Sequence, residues 1–190
     1  MMMTKRLLSS IAATAAFVAT VVAAALPAHA ALAVGARAPD FSVPAALGGK
    51  TFAFTLAAAL AKGPMVVYFF PAAFTSGCTI EAHEFAEAMP KFEALGAGVI
   101  GVSTDNIETL AKFSVEACRN KFAVASDSAR SVVKSYDAQL AIRPDYADRI
   151  SYLIGPDGSV LAVYSSLSPD QHVEKMLAAL RDWRKAQPRR

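Results

Sequence analysis

Cysteine is scarce in this chain, and the two thiols that it has do not form a Cys-x-x-Cys pair. Only Cys78 and Cys118 occur among 190 residues. Thr75 stands where the first thiol of such a pair would precede Cys78, which argues against a disulfide reductase. A domain of about this length buries enough apolar surface to fold without a cross-link. A redox role for the two thiols is therefore favoured over a structural disulfide.

An excess of charge of one sign is also lacking. The formal net charge is +3, and two of the basic residues, Lys5 and Arg6, lie close to the N-terminus. Without them, 17 basic residues stand against 16 acidic ones. This balance gives no indication of the strongly basic character typical of nucleic-acid-binding domains, so no nucleic-acid partner is expected.

Long hydrophobic runs are confined to the N-terminus. Lys5 and Arg6 precede an uncharged, alanine-rich stretch at 11–26 and small residues at 28–30, the pattern of a secretory signal cleaved after Ala30. The alternative is an uncleaved anchor, although the run falls short of the roughly 20 residues that a spanning helix needs. We therefore expect an exported, periplasmic protein whose residues 31–190 form one domain with no stable membrane association.

Apolar runs with strand and helix periodicity alternate along the rest of the chain, which predicts an α/β fold with helices on both faces of a sheet. Pro90 falls inside the second helix and should bend or break it. The expected strands are 50–54, 65–70, 98–103, 122–125, 149–154 and 159–164. The expected helices are 56–61, 78–95, 107–119, 129–136 and 169–184.

The most informative segment places Cys78 at the start of a helix, after a buried strand that ends at Pro71. Unpaired N–H groups and the positive end of the helix dipole favour the thiolate there, which is the reactive form of cysteine. Thr75 can place a hydroxyl beside the sulfur. The plainer alternatives are an inert buried thiol, a Thr75 that only caps the helix, and a Pro71 that only ends the strand.

The spacing Pro71-x-x-x-Thr75-x-x-Cys78 after a hydrophobic strand resembles the active-site motif of the peroxiredoxins, and its surroundings resemble the Q-type branch, also called bacterioferritin comigratory proteins. The resemblance covers nearly the whole chain after about Val34. It begins with 35–41, similar to the family's opening strand, and ends with Arg149, the late strand that follows it and the turn at 155–158. It implies a thioredoxin-like fold, a central mixed β-sheet flanked by helices. For the Q-type branch it also favours a monomer.

The resemblance implies a role for each matching residue. Cys78 would attack the peroxide and become a sulfenic acid, and Arg149 would lie beside the sulfur and stabilise charge on the oxygens. The Thr75 hydroxyl would bond sulfur and peroxide in turn, while Pro71 would shield the sulfur from water. Glu81, one turn into the helix, either orients Arg149 or only stabilises the helix dipole.

A second thiol is expected to resolve the sulfenic acid. Many Q-type members carry it five residues after the first cysteine, where this chain has His83, so Cys118 is the remaining candidate. Cys118 lies about 80° from the apolar stripe of the expected helix 107–119, which predicts partial exposure. A disulfide with Cys78 would then need local unwinding around both thiols. The alternative is a non-catalytic Cys118 packed as a small hydrophobe.

Other functions have weaker support in the sequence. Cys78 and His83 diverge by about 140° around a helix, so they do not predict a metal site, and no cofactor is expected. An exported thioredoxin-fold copper carrier would have a second cysteine at Ala82, and a redox-inactive interaction domain would have an unreactive Cys78. The favoured interpretation is a peroxidase for hydrogen peroxide and organic hydroperoxides, reduced by a thioredoxin-like protein or another thiol.

Overall fold

The computed structural model describes residues 31–187, so the expected signal at 1–30 lies outside the described residues. The strands are β1 Ser42–Leu47, β2 Lys50–Thr55, β3 Met65–Phe69, β4 Gly98–Ser103, β5 Ala123–Ser126, β6 Ile150–Ile154 and β7 Val160–Ser165. The helices are α1 Leu56–Leu60, α2 Ser76–Ala94, α3 Ile107–Glu116, α4 Ser131–Ser135 and α5 His172–Ala186.

The seven strands form one mixed sheet in the order β2-β1-β5-β4-β3-β6-β7. The pairs β3–β4 and β4–β5 are parallel, and the remaining pairs are antiparallel. The expectation of a mixed sheet with helices on both faces is confirmed.

Strand β3 lies inside the sheet and separates two hydrophobic cores. All five of its residues are buried, as expected for a strand covered on both faces. Val66 and Tyr68 face the core formed with α2, α3 and α5. Val67 and Phe69 face the core formed with α1 and α4. The chain that follows β3 therefore leaves the sheet from an inner strand, between β4 and β6.

The opening strand differs from the expectation. Residues 35–41 contribute only an isolated bridge between Arg37 and Ser159, and the first strand is Ser42–Leu47. Gly48 and Gly49, with φ of 55° and 78°, make the turn to β2. Two successive residues with positive φ form the tight hairpin turn whose twist matches paired strands, and this turn selects 42–47 as the partner of β2.

Helix α2 is not broken at its proline, and helix α3 ends earlier than expected. Helix α2 continues through Pro90 to Ala94, because Met89 and Phe92 are buried on either side of the proline and hold that turn against the sheet. Helix α3 ends at Glu116, so Cys118 follows the helix instead of lying on it. Within 31–187, no helix combines the length and apolarity that crossing a bilayer requires.

Tyr68 packs across the sheet over Gly101. The two residues are register partners in the parallel pair β3–β4, and the Tyr68 ring stacks on Phe85 of α2 at 4.4 Å. A Cβ atom at Gly101 would lie 2.8 Å from the Tyr68 hydroxyl and 3.0 Å from Phe70. Gly101 thus leaves the space that the two rings occupy beneath the N-terminal half of α2.

We expect Gly101→Ala to lower the free energy of unfolding by about 1–3 kcal/mol, because the added methyl overpacks a filled core. Urea unfolding measures the change. The same substitution in a Tyr68→Phe background should cost less, since one of the two Tyr68 atoms 2.8 Å from the added methyl, the hydroxyl oxygen, is gone while ring carbon Cζ remains. An equal cost in both backgrounds would contradict this account of the packing.

Candidate active site

The register of β3 against β6 brings the two halves of the site together. Phe69, at the end of β3, pairs with Ile150, at the start of β6. The chain leaving β3 toward Cys78 and the chain entering β6 from Arg149 therefore meet at one edge of the sheet. This pairing explains how two residues 71 positions apart in the sequence come into contact.

A short loop carries the chain from β3 to α2. Asp105, in the connection after β4, accepts hydrogen bonds from the Ala73 N–H at 2.7 Å and from the Ser103 hydroxyl at 2.8 Å. Pro71 begins the loop and is half-buried, and Phe74 has a φ of 64°. A left-handed conformation is costly for a residue with a Cβ atom, so the loop is held by contacts outside itself.

Thr75 is the residue that precedes the first turn of α2. Its carbonyl accepts the N–H of Thr79 at 2.9 Å, and its exposed hydroxyl donates to the Ala72 carbonyl at 3.0 Å. The structure thus places the hydroxyl proton on the loop backbone, so Thr75 would have to release the Ala72 carbonyl to donate to sulfur or peroxide, whereas its lone pairs are free to accept.

Cys78 is the third residue of α2, with 1% of its surface exposed. Its Sγ accepts a hydrogen bond from Arg149 Nη2 at 3.4 Å. The N–H of Cys78 is among the first four of the helix, which have no intrahelical acceptor. Gly77 permits the close approach, because a Cβ atom there would lie 3.2 Å from Arg149 Nη2. The sulfur therefore faces a guanidinium and the positive end of a helix.

Arg149 is buried and makes three side-chain contacts. Besides Cys78, Nη1 pairs with Glu81 Oε2, and Nε–H donates to the Leu167 carbonyl at 2.9 Å. Burial raises the pKa of Glu81 to about 8 against the opposing effect of Arg149. Burial lowers the pKa of Arg149, but the charges of Glu81 and Cys78 outweigh it and raise that pKa. Arg149 is thus a charged donor at neutral pH, and Glu81 orients it.

Ser151 and His172 extend this network and were not identified from the sequence. The Ser151 hydroxyl lies 2.9 Å from His172 Nδ1, and both residues are fully buried. Ser151 follows Arg149 by two residues, and residues two apart on a strand share a face. The sequence spacing could therefore have predicted that Ser151 lies on the same face as Arg149. His172 is a lone histidine at a helix start, and only tertiary structure brings it to the site.

Cys118 is more buried than predicted. It is fully buried in the same core as Cys78, so the expectation of partial exposure is wrong. Helix α3 ends at Glu116, so helical periodicity no longer gives the direction of the Cys118 side chain; Arg119 and Asn120 follow it with φ of 51° and 59°. Burial raises the pKa of the Cys118 thiol far above its ordinary range. Both cysteines are free thiols.

Tyr68 lies beneath the site with a buried hydroxyl that has no hydrogen-bond partner among residues 31–187. Burial raises the pKa of Tyr68 well above 10, and the negative charges of Cys118, Glu81 and Cys78 add to the effect. The phenol is therefore neutral and lies in the core that the two cysteines share.

A metal centre has no support in the described residues. Between Ala31 and Gln187, no three side chains of the His, Cys, Asp and Glu types are grouped so that they could hold an ion. His83 lies on α2 and is half-buried. The chemistry of the site is therefore that of a thiol, a guanidinium and a carboxylate.

The raised pKa of Glu81 predicts a pH-dependent stability. The pKa is about 8 in the folded protein against an ordinary value of 4.5, so the folded state binds the proton more tightly than the unfolded state does. This contribution is full below pH 4.5 and is lost as the pH rises through 8. The wild type should thus lose unfolding free energy relative to Glu81→Gln across that range. Urea unfolding at both limits tests this, with the exposed Glu116→Gln as control; parallel pH curves for wild type and Glu81→Gln would contradict it.

Comparison with known proteins places these residues in a family. The AhpC/TSA family profile matches residues 34–163. A Mycobacterium tuberculosis protein named as a peroxiredoxin is 34% identical over 150 residues, which cover 77% of this chain and 95% of that protein. Peroxiredoxin Bcp of Xanthomonas campestris is 29% identical over 153 residues, which cover 76% and 91%.

A solved structure supports the same assignment. The crystal structure of peroxidoxin BcpB from Mycobacterium tuberculosis superposes with a TM-score of 0.71 at 33% identity, covering 78% of this chain and 96% of that one. The expected thioredoxin-like fold is confirmed. The chain belongs to the AhpC/TSA family, and within it to the peroxiredoxins of the Bcp and Q type, which are thiol peroxidases.

Proposed function

We propose that the protein reduces hydrogen peroxide and organic hydroperoxides through a sulfenic acid on Cys78. The observation that carries the proposal is the buried contact between Cys78 Sγ and Arg149 Nη2 at 3.4 Å. A guanidinium at this distance stabilises the thiolate before the reaction and the charge on oxygen as the O–O bond breaks.

The proposed first step is a two-electron transfer from sulfur to peroxide. The Cys78 thiolate attacks one peroxide oxygen, an S–O bond forms and the O–O bond breaks. Cys78 becomes a sulfenic acid, and the departing oxygen takes a proton to leave as water or an alcohol. Arg149 and the Cys78 N–H donate to the oxygens, while Thr75 reaches them if its hydroxyl leaves the Ala72 carbonyl. Pro71 keeps water from the sulfur.

Cys118 is proposed to resolve the sulfenic acid as an intramolecular disulfide, with release of water. Both thiols lie in one hydrophobic core, which supports the pairing. Left-handed residues flank both segments: Phe74 before Cys78, and Arg119 and Asn120 after Cys118. Such conformations are kept only by surrounding contacts, so these segments are suited to open locally. A thioredoxin-like protein or another thiol would then reduce the disulfide.

Apolar side chains next to the reacting groups support the inclusion of organic hydroperoxides. Phe74 and Leu167 are exposed to 45% and 60%. Phe74 precedes Thr75 in the loop, and the Leu167 carbonyl binds Arg149. An alkyl group of a substrate held at the sulfur would bury part of this surface.

We further propose that residues 1–30 are a cleaved export signal and that 31–190 act as one monomeric domain in the periplasm. The basic, apolar and small-residue order at the N-terminus supports this. The family match at 34–163 leaves that segment outside. Mass spectrometry of the protein recovered from periplasm identifies the first residue.

The first experiment counts thiols and measures intact mass after one equivalent of hydrogen peroxide. The wild type should lose two hydrogens and both thiols, because Cys78 and Cys118 form one disulfide. Cys118→Ser should hold a sulfenic acid that dimedone traps, and Cys78→Ser should stay unmodified.

Other outcomes separate the parts of the proposal. A wild type that gains oxygen at Cys78 and keeps Cys118 free contradicts resolution by Cys118 and indicates an external thiol. A Cys78 that stays reduced contradicts the peroxidase proposal itself.

The second experiment concerns the substrate. Leu167→Ser should lower the ratio of kcat/KM for cumene hydroperoxide to that for hydrogen peroxide about fivefold, because partial burial of a leucine side chain is lost. The Leu167 carbonyl that binds Arg149 is retained. Val34→Ser, 61% exposed and beside the start of β7, is the control. An unchanged ratio would show that Leu167 does not contact the organic group.

A further inference from the structure

A turn between β7 and α5 holds Arg149 from two sides. The Ser166 N–H donates to the Arg149 carbonyl at 3.2 Å, and the Leu167 carbonyl accepts Arg149 Nε–H at 2.9 Å. We call Ser166–Leu167 the clamp turn. The direction of the guanidinium therefore depends on where this turn lies.

His172 holds the clamp turn from inside the protein. It is the first residue of α5 and is fully buried. Its Nε2 lies 3.0 Å from the Ser166 carbonyl. A carbonyl only accepts hydrogen bonds, so Nε2 carries the proton. Nδ1 is then an acceptor for the Ser151 hydroxyl at 2.9 Å, and the neutral ring is bonded at both nitrogens.

The His172 ring also packs beside the carboxylate oxygen of Glu81 that Arg149 does not contact. His172 Nδ1 lies 3.6 Å from Glu81 Oε1, an oxygen that has no hydrogen-bond partner within the described residues. The Tyr164 ring packs edge-on against His172 with centroids 4.7 Å apart. Glu81, Arg149 and Tyr164 are thus the titratable groups that face the ring. Burial lowers the pKa of His172, which favours the neutral form that these bonds need.

The backbone at the start of α5 is strained. Gln171, immediately before His172, has a φ of 72°, a left-handed conformation that is costly for a residue with a Cβ atom. This costly conformation lies immediately before the residue that contacts the clamp turn.

We propose that His172 is a positioning residue of the peroxidatic site. It fixes the clamp turn and packs beside Glu81, and both contacts keep Arg149 against Cys78 Sγ. This inference rests on the proposed function, since the importance of Arg149 comes from peroxide chemistry at Cys78. It adds a residue from α5 to a site that the sequence motifs assign to the β3–α2 loop and the start of β6.

The test compares His172→Phe with His172→Gln in a Cys118→Ser background. Phe keeps a ring of similar size and loses both hydrogen bonds, whereas the Gln amide can still donate to the Ser166 carbonyl. The rate of sulfenic acid formation should fall about tenfold or more in the Phe variant, because a small misplacement of a catalytic group is costly. The Gln variant should recover most of that rate. His83→Gln, which removes a histidine on α2 away from the clamp turn, is the control.

A second readout is independent of peroxidase activity. Exchange of the Arg149 Nε–H with solvent, measured by NMR, should be slow in the wild type and the Gln variant and fast in the Phe variant. If the wild type reduces no peroxide, the proposed function fails. The exchange rate of the Arg149 Nε–H would still show whether His172 holds Arg149 in place.

Coupling to Arg149 separates positioning from general stability. In an Arg149→Lys background, His172→Phe should have little further effect on the rate, because residues that act through one another are not additive. A folded Phe variant that forms sulfenic acid and exchanges the Arg149 Nε–H at wild-type rates overturns the proposal. Additive effects of His172→Phe and Arg149→Lys on the rate overturn it as well. If the Phe variant does not fold, His172→Asn, too short to reach the Ser166 carbonyl, takes its place with the same expected loss.

Discussion

The buried guanidinium of Arg149 is the group on which the rest of the site depends. Removing a charge from water costs several kcal/mol, and only close partners with good geometry offset that cost. Arg149 has partners from two separate parts of the chain, Cys78 and Glu81 on α2 and the Leu167 carbonyl after β7. Neither set alone would satisfy the planar group. The helix that carries the thiol and the turn before α5 are therefore fixed relative to each other through one side chain.

The pairing of Glu81 with Arg149 gives the site a particular charge balance. A guanidinium shared with a fully ionised carboxylate would attract a thiolate less than an unshared one. Burial acts in the opposite direction, because it raises the pKa of Glu81 to about 8. The raised pKa of Glu81 weakens its competition with Cys78 for the Arg149 charge, while Glu81 Oε2 still determines the direction of the guanidinium. Glu81 therefore orients the Arg149 guanidinium but offsets only part of its positive charge.

The sequence predicted the parts of the site that local patterns determine. A continuous apolar run identified β3, and the start of a helix after it identified Cys78. Arg149 needed the resemblance to a family, because no periodicity marks it. The first strand was misplaced since the Gly48–Gly49 turn decides the register. The burial of Cys118 was missed because α3 ends at Glu116, beyond which helical periodicity does not give the direction of a side chain. His172 reaches the site only by tertiary packing.

On the proposed route, the two chemical steps require different structures. Attack on peroxide needs the folded site, in which Arg149 Nη2 is 3.4 Å from Cys78 Sγ. Resolution needs Cys118, which is fully buried and has to become a thiolate to attack. The left-handed residues Phe74 and Arg119 store about 1–3 kcal/mol each, so opening these segments costs less than their contacts alone would suggest. The opening rate then sets how long the sulfenic acid persists, and a second peroxide competes with Cys118 during that interval. Stabilising the turn after α3 would thus make the enzyme easier to overoxidise without slowing its first step.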